Sequence, residues 1–402
     1  MLVTTRLHPG STTRPIGLQP RYRVNRMMAR IVVFGATGYT GGLTAQRLAA
    51  DSAEDGELVL AGRSGSKLDK LATELSDGKT GTRPISVAVA DVSDPATVRA
   101  LLRDPSDVLV TAVGPFFRWG RPAVDAAIDA GATYVDSTGE PAFICRLFLE
   151  DGPRAKKSGA RLLPAFGYDY VPGNLAGALV LAAARSEGKP ATRVEVGYFM
   201  PGGVGMSSGT AATGAGIVFE PSHTFRGGKI IQEHAGRHVH SFELDADRID
   251  AISLGATEHF GLPNQQPQLQ QVGVYLGALG KLARPASYGS RALNAALKVP
   301  GVKDGLQAVA ARTVKGSQGG PDAYARAGIR SVAVAEAYDS AGNMVARVCV
   351  EGPSPYDLTA DALAWAARSA GAITATGTLA PTDAFDLNYL IAGCASFDLR
   401  RA

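Results

Sequence analysis

Ile31–Phe34 is a run of four apolar residues, and the next seven, Gly35-Ala36-Thr37-Gly38-Tyr39-Thr40-Gly41, space their glycines as G-x-x-G-x-x-G. A helical pattern follows, with Ala45, Leu48 and Ala49 on one face. Strand, glycine loop and helix in this order constrain the fold more than any other feature of the chain. Gly35 permits a sharp turn out of the strand, Gly38 lets backbone N–H groups reach a diphosphate, and Gly41 lets the helix pack close to the sheet. A bound anion then sits at the helix N-terminus, where unpaired N–H groups and the helix dipole favour negative charge. All seven loop residues are therefore candidate cofactor ligands. The competing reading is a glycine-rich turn in some other α/β protein.

The chain downstream keeps alternating. Apolar runs at 58–61, 85–90, 108–113, 133–135 and 161–164 read as strands, with helical patterns at 67–75, 121–129 and 154–158 between them. Asp94-Pro95 marks a further helix start, Asp94 as cap and Pro95 in the first turn. Such alternation predicts an α/β fold with a parallel sheet covered on both faces. After Pro172 the pattern changes: 192–200 alternates, 229–244 reads as a hairpin around Gly236, and 329–337 and 344–350 flank the turn residues 339–343. These segments predict a second, α+β domain, and helical patterns at 358–370 and 383–390 close the chain.

The end of the second strand selects the cofactor. NAD-binding sheets usually place Asp or Glu about 20 residues beyond the glycines, to hold the ribose 2′-hydroxyl. Here the chain reads Gly62-Arg63-Ser64, with Lys67 one turn on. Arg63 can grip a 2′-phosphate bidentately, and Ser64 and Lys67 add donors. The expected cofactor is thus NADP(H); a solvated arginine after a strand is the plainer alternative. Asp91, ending the third strand, either bonds the adenine amine or is a carboxylate leading into a helix. Val113-Gly114-Pro115, ending the fourth, would pass the inner ribose and nicotinamide.

Composition excludes other classes. Charged residues are 19% of the 402-residue chain, and the net charge is +4. Residues 1–28 carry Arg6, Arg14, Arg21, Arg23 and Arg26 and no acid; the remainder has 36 basic and 37 acidic residues. The body therefore has no positive excess for nucleic acid. Residues 1–28 are expected to be a disordered extension or a misassigned gene start, since Met27-Met28-Ala29-Arg30 opens onto the first strand. Cys145, Cys349 and Cys394 form neither a zinc spacing nor a disulfide framework, which suits a reducing cytoplasm. The longest apolar run, near 175–184, is too short to span a bilayer. His234, His238 and His240 invite a metal reading, but Gly236 interrupts them and exposed strand histidines are the favoured reading, so no metal is expected. His223 and His259 read as structural.

Gly35 to Gly41, Ala61-Gly62-Arg63, Val113-Gly114-Pro115-Phe116, Tyr134-Val135-Asp136-Ser137-Thr138-Gly139-Glu140 and Gly167-Tyr168-Asp169-Tyr170-Val171-Pro172 together resemble the saccharopine dehydrogenase-like oxidoreductases. The resemblance is to the actinobacterial branch that includes trans-acting enoyl reductases. Ser208-Gly209-Thr210-Ala211-Ala212-Thr213 and Tyr356-Asp357-Leu358-Thr359-Ala360 add to it, so that it spans about residues 29–400. Where the family reads Gly-Phe-Asp-Ser, this chain has Tyr168 and Tyr170 in the Phe and Ser positions. The resemblance implies an NADP-binding Rossmann domain (29–172), an α+β substrate domain (173–355), a C-terminal helical segment (356–402) returning to the first domain, and a homodimer.

For catalysis, none of the twelve tyrosines has Lys four residues on, which argues against a short-chain dehydrogenase. Tyr168, Asp169 and Tyr170 lie just past the sixth strand, at the edge where such sheets bind ligands. A phenol there could protonate a reduced atom, with Asp169 orienting it or binding a cationic imine. The favoured alternative is a hinge turn with the tyrosines packed between domains. Ser208, Gly209 and Thr210 read either as a helix start that holds a substrate carbonyl or as an ordinary N-cap. Asp136 and Glu140 read as turn caps rather than an acid–base pair. The acid-free stretch 259–303 reads as a solvated basic face, with an acyl lid or weak membrane-surface contact as the alternative. The function expected is NADPH-dependent hydride transfer to an enoyl C=C bond of a small or acyl substrate in the cytoplasm. A C=N reductase and a non-catalytic NADP-binding regulator are the alternatives.

Overall fold

The computed structural model describes residues 30–50, 56–77, 83–201, 221–244, 247–296 and 319–402. The extension 1–28 and the trio Ser208-Gly209-Thr210 lie outside the described residues.

The first sheet is built from β1 (Ile31–Phe34), β2 (Leu58–Gly62), β3 (Ile85–Val89), β4 (Val108–Thr111), β5 (Thr133–Asp136) and β6 (Arg161–Leu163). A late strand, β15 (Gly377–Thr378), joins it, giving the order β15-β6-β5-β4-β1-β2-β3. All neighbours are parallel, with Val32 opposite Val59 and Leu109 in the centre. The central strands β1, β2 and β4 are buried on both faces, so they read as apolar runs rather than alternating. Ile31, Val33, Leu58 and Leu60 face one core; Val32, Phe34, Val59 and Leu109 face the other.

The connecting helices are α1 (Tyr39–Ala49), α2 (Gly65–Asp77), α3 (Pro95–Arg99), α4 (Phe116–Trp119), α5 (Arg121–Ala130), α6 (Pro141–Arg146) and α7 (Gly152–Ser158). Asp94 caps α3 at the Ala96 N–H, with Pro95 in the first turn. Strand order reverses between β1 and β4, so the loops after these strands diverge and leave a crevice at the carboxyl edge.

Helix α8 (Val171–Ser186) leads out of β6 into the second sheet. That sheet holds β7 (Arg193–Phe199), β8 (Pro221–Arg226), β9 (Lys229–His234), β10 (Val239–Leu244), β11 (Asp247–Ser253), β12 (Gln271–Leu276), β13 (Ser331–Tyr338), β14 (Met344–Gly352) and β16 (Arg400–Arg401). The main path is β10-β11-β12-β7-β13-β14-β16. Val194, Val196 and Tyr198 of β7 point to the α8 side, while Phe199, Phe242, Tyr275, Val332 and Val334 fill the opposite face. The sheet curls strongly enough for His240 of β10 to meet Glu336 of β13 at 2.9 Å.

Residues 229–244 do not form the single hairpin their pattern suggests. β9 pairs with β8, and β10 pairs with β11. Gly227 and Gly228, both at positive φ, make the tight turn, whereas Gly236 sits in a connection tied to the Ser253 carbonyl.

The remaining helices are α9 (Glu258–Gln265), α10 (Ala283–Ala296), α11 (Ala323–Ala327), α12 (Pro355–Arg368), α13 (Pro381–Ala384) and α14 (Leu387–Ser396). Helix α12 returns to the first sheet and packs on α1, β4 and β5, but α14 packs on α8 and β16 pairs with β14. Trp365 of α12 fastens this return. Its ring lies 4.6 Å from Phe385 and 6.1 Å from Phe166, and a Cβ on Gly393 would come within 2.1 Å of it. Trp365→Ala is expected to cost about 3–5 kcal/mol, the range for emptying a buried aromatic site. Urea denaturation of the full chain should show the loss as a lower midpoint.

Candidate dinucleotide and substrate site

The turn out of β1 is set by close backbone approaches at Gly35 and Gly41. Gly35 has φ +87° and its N–H donates to the Ala61 carbonyl at 2.9 Å. A Cβ on Gly41 would lie 2.2 Å from the Gly35 oxygen, so only hydrogen fits where α1 meets the turn. Gly38 is the N-cap of α1 and supplies no capping side chain, and the first turn carries no acid. The first-turn N–H groups of Tyr39, Thr40 and Gly41 therefore point outward with no carboxylate competing for them. These residues fit a diphosphate. A Cβ on Gly35 would also lie 2.9 Å from Val113, which places the loop after β4 directly beside this cradle. The Tyr39 side chain turns away from it: its hydroxyl donates to the Pro321 carbonyl and accepts from Arg326 Nη1 at 3.0 Å.

Arg63 and Lys67 are exposed at the end of β2 and the start of α2 and form no ion pair among the described residues. Ser64 lies beside Ser66, with their hydroxyls 3.4 Å apart. Asp91 accepts from the Ser93 N–H and hydroxyl, both at 2.8 Å. Those bonds, with Arg63 nearby, hold its carboxyl below the usual range. Asp91 thus serves the turn into α3.

Behind Val113, Gly114 and Pro115, Glu140 clamps the backbone, accepting from the Phe116 and Phe117 N–H groups at 2.7 Å each. Asp136 accepts from the Thr138 and Ala165 N–H groups at 2.8 Å and from the Tyr134 hydroxyl at 2.6 Å. It ties the loop after β5 to the loop after β6. Burial pushes its pKa up to about 6, against those hydrogen bonds. Both acids are engaged with backbone, as expected of turn caps.

Tyr168, Asp169 and Tyr170, in the loop after β6, differ sharply among themselves. Tyr168 donates its hydroxyl to the Phe199 carbonyl at 3.2 Å, and its N–H to Thr359 Oγ1 of α12 at 3.0 Å. The Tyr170 hydroxyl is buried with no partner among the described residues. Burial pushes both phenols well above their ordinary value, so neither ionises. Asp169 is half-buried, and its Oδ2 lies 2.9 Å from where a Cβ on Gly139 would stand. Its carboxyl accepts no hydrogen bond among the described residues, and burial alone raises its pKa to about 7. It is the carboxyl in this group that is not committed to backbone.

Beneath it lies a polar layer that local sequence signals do not reveal. Tyr198 donates to Glu258 Oε1 at 2.5 Å and accepts from the Gly173 N–H at 2.9 Å. Asn174 donates to the Tyr170 carbonyl at 2.8 Å and to Thr257 Oγ1 at 2.9 Å. Glu258 is fully buried, and burial pushes its carboxyl up to about 8 against the pull of the Tyr198 hydrogen bond. Glu258 is 60 residues from Tyr198 in the chain, so no spacing pattern announces the pair.

The histidines go separate ways. His234 meets Ser290, His238 meets Glu233, and His240 meets Glu336. Buried His223 and His259 pack edge to face at 5.2 Å, and burial lowers both pKa values. In the 259–303 stretch, Arg284 pairs with Asp250 and Arg291 donates to the Arg237 carbonyl, while Leu282 and Tyr288 are exposed. No helix among the described residues is long and apolar enough to cross a membrane.

A parallel sheet with a backbone N–H anion cradle at its switch point defines a dinucleotide-binding α/β protein. Residues 31–161 match the family model described as the saccharopine dehydrogenase NADP binding domain. The match agrees with the nicotinamide dinucleotide expected from the glycine loop. Among curated relatives, the trans-acting enoyl reductase of Mycobacterium ulcerans is 39% identical over 150 residues, covering 36% of this chain and 34% of that protein. The lipid droplet localized protein of Caenorhabditis elegans is 35% identical over 148 residues, with 36% and 34% covered. The matched region spans about a third of the length of these relatives. Among solved structures, apo saccharopine dehydrogenase (L-Glu forming) from Saccharomyces cerevisiae aligns over 93% of this chain and 99% of its own, with TM-score 0.55 and 14% identity. Homospermidine synthase from Legionella pneumophila, in complex with NAD, aligns over 94% and 91% with TM-score 0.55 and 10% identity. These two share the fold of both sheets.

Glu258 sets a pH dependence. Its folded pKa of about 8 lies above the ordinary 4.5, so the folded state keeps a proton that the unfolded state releases between those values. Its contribution to stability is complete below about pH 4.5 and falls as pH rises towards 8, at no more than about 1.4 kcal/mol per pH unit. Glu258→Gln should flatten this decline, read from urea midpoints between pH 5 and 8.

Proposed function

We propose that the chain is an NADPH-dependent oxidoreductase that reduces a polarised C=C bond of an enoyl-type substrate at the carboxyl edge of the first sheet. The observation that carries the reading is Asp169: an uncommitted carboxyl with a pKa near neutrality, in the loop after β6, on the same edge as the glycine cradle. The cradle residues 38–41 would hold the diphosphate, and Arg63, Ser64 and Lys67 the 2′-phosphate. The Val113-Gly114-Pro115 loop, clamped by Glu140, would wall the nicotinamide side. NADPH, when bound, supplies the hydride.

With a pKa of about 7, Asp169 is protonated in about half of the molecules at neutral pH, and this form delivers the proton from its carboxyl oxygen to the substrate carbon left electron-rich by reduction. Asp136 and Glu140 fix the loops around it and stay out of proton transfer. Tyr168 and Tyr170, both buried, flank Asp169 in the chain and stay neutral, and burial raises the Asp169 pKa. The enoyl reductase name of the mycobacterial relatives supports the C=C preference. A C=N substrate is the second reading, favoured by the ability of an ionised Asp169 to pair with a cationic imine.

Stopped-flow NADPH oxidation across enoyl-thioester and imine panels tests the proposal. Asp169→Asn should lower kcat by about 10²–10⁴-fold, the usual range for a general acid, and leave NADPH affinity intact. In the parent protein kcat/KM should fall as pH rises through about 7, because only protonated Asp169 donates, and the variant should lose that limb. Tight NADPH binding with no oxidation on either panel would leave a non-catalytic binding protein instead. Arg63→Asp should weaken NADP(H) roughly ten- to hundredfold, the loss of one charge-assisted contact, and move preference towards NAD(H), read by calorimetry.

A further inference from the structure

We propose that Arg326 is a positioning residue of the dinucleotide site, acting through Tyr39, so that grip on the diphosphate and order of residues 320–326 form one coupled event. The inference rests on the reading of the glycine loop as a dinucleotide cradle.

Tyr39 is the first residue of α1, and its own N–H is among the unpaired donors of the cradle. Its side chain is held on every side by residues far away in sequence. The hydroxyl donates to the Pro321 carbonyl, and Arg326 Nη1 donates to both the Tyr39 hydroxyl and the Pro321 carbonyl at 3.0 Å. Gly320 lies against the ring, where a Cβ would come within 2.6 Å of Cε1. The Tyr356 ring of α12 meets the ring edge to face at 5.2 Å.

Arg326 is in turn fixed. Its side chain is only 12% exposed, and Nε donates to Asp357 Oδ2 at 2.9 Å. Asp357 also takes the Ser354 hydroxyl at 2.7 Å and Arg47 of α1 at 3.1 Å, and Arg47 pairs with Asp361 at 2.7 Å. Two arginines and two aspartates balance in charge, and the network grips α1 at both its first residue and its last turn. Movement of Arg326 therefore shifts the residue whose N–H faces the cradle, and a donor held in place beforehand costs less to order when the anion binds. Coupling of this kind is reciprocal: whatever factor the latch adds to dinucleotide affinity, the dinucleotide adds to latch closure.

A packing role alone predicts something different. Tyr39→Phe keeps the ring against Gly320 and Tyr356 and removes only the hydroxyl, so a packing role would leave NADPH affinity unchanged. The latch predicts that Tyr39→Phe and Arg326→Gln each weaken NADPH binding by about tenfold, within the usual range of coupling. Hydrogen–deuterium exchange of the full chain supplies the second readout. Saturating NADPH should slow exchange at residues 320–328 in the parent protein, and Tyr39→Phe should lose that slowing even when saturated. NADPH binding without slowing at 320–328 in the parent protein would overturn the latch and leave the cradle reading intact. So would equal affinity and equal slowing in Tyr39→Phe. Failure of the parent protein to bind NADPH would overturn the cradle and the latch together. If Arg326→Gln does not fold, the parent and Tyr39→Phe measurements decide.

Discussion

The close approach of α1 to the turn after β1 governs the rest of the molecule. No side chain separates Gly41 from the Gly35 carbonyl, and a single methyl there would overlap it. That contact aims the first-turn N–H groups of α1 into the crevice where the strand order reverses. It also sets the height of α1 against the sheet, and so the position of Arg47, which α12 must meet through Asp357 and Asp361. The second sheet is reached through the same packing, because one apolar core runs from the α1 face of the first sheet through α12 and α8 to β7 and β13.

Carboxyl groups near the crevice divide by what they touch. Glu140 and Asp136 each accept two backbone N–H bonds, and both act as rigid braces between loops. Glu258 shares a short hydrogen bond with Tyr198 deep in the second domain. Asp169 alone of these four accepts no bond among the described residues, and it lies where the loops of β5 and β6 meet. The braces explain how a carboxyl can be kept dry and uncommitted: neighbouring loops are held open without using it. Desolvation then moves its proton affinity into the neutral range.

What the sequence discloses is local. The strand–glycine–helix unit, the arginine after β2 and the capped start of α3 are each complete within a few residues, and each lies where its pattern places it. The hairpin at 229–244 was misleading because apolar alternation continues through two strands with Gly236 between them. Two adjacent glycines at 227 and 228 decide the pairing instead. Arg326 and Tyr39 are 287 residues apart, and Thr359 and Tyr168 are 191 apart. Contacts of that separation arise only once α12 has packed on α1, and nothing in residues 320–326 by themselves announces a partner in the glycine loop.

The route of the chain between its two sheets has a mechanical consequence. The backbone passes from the first sheet to the second through α8, comes back at α12 and β15, and leaves again through α14 to end on β14. Three covalent crossings join the halves, so any swing between them must bend the chain at three places rather than at one flexible joint. Removal of the last twenty residues would take away one of those crossings with its packing on α8 and its pairing with β14, and so loosen both halves at once rather than trim an appendage.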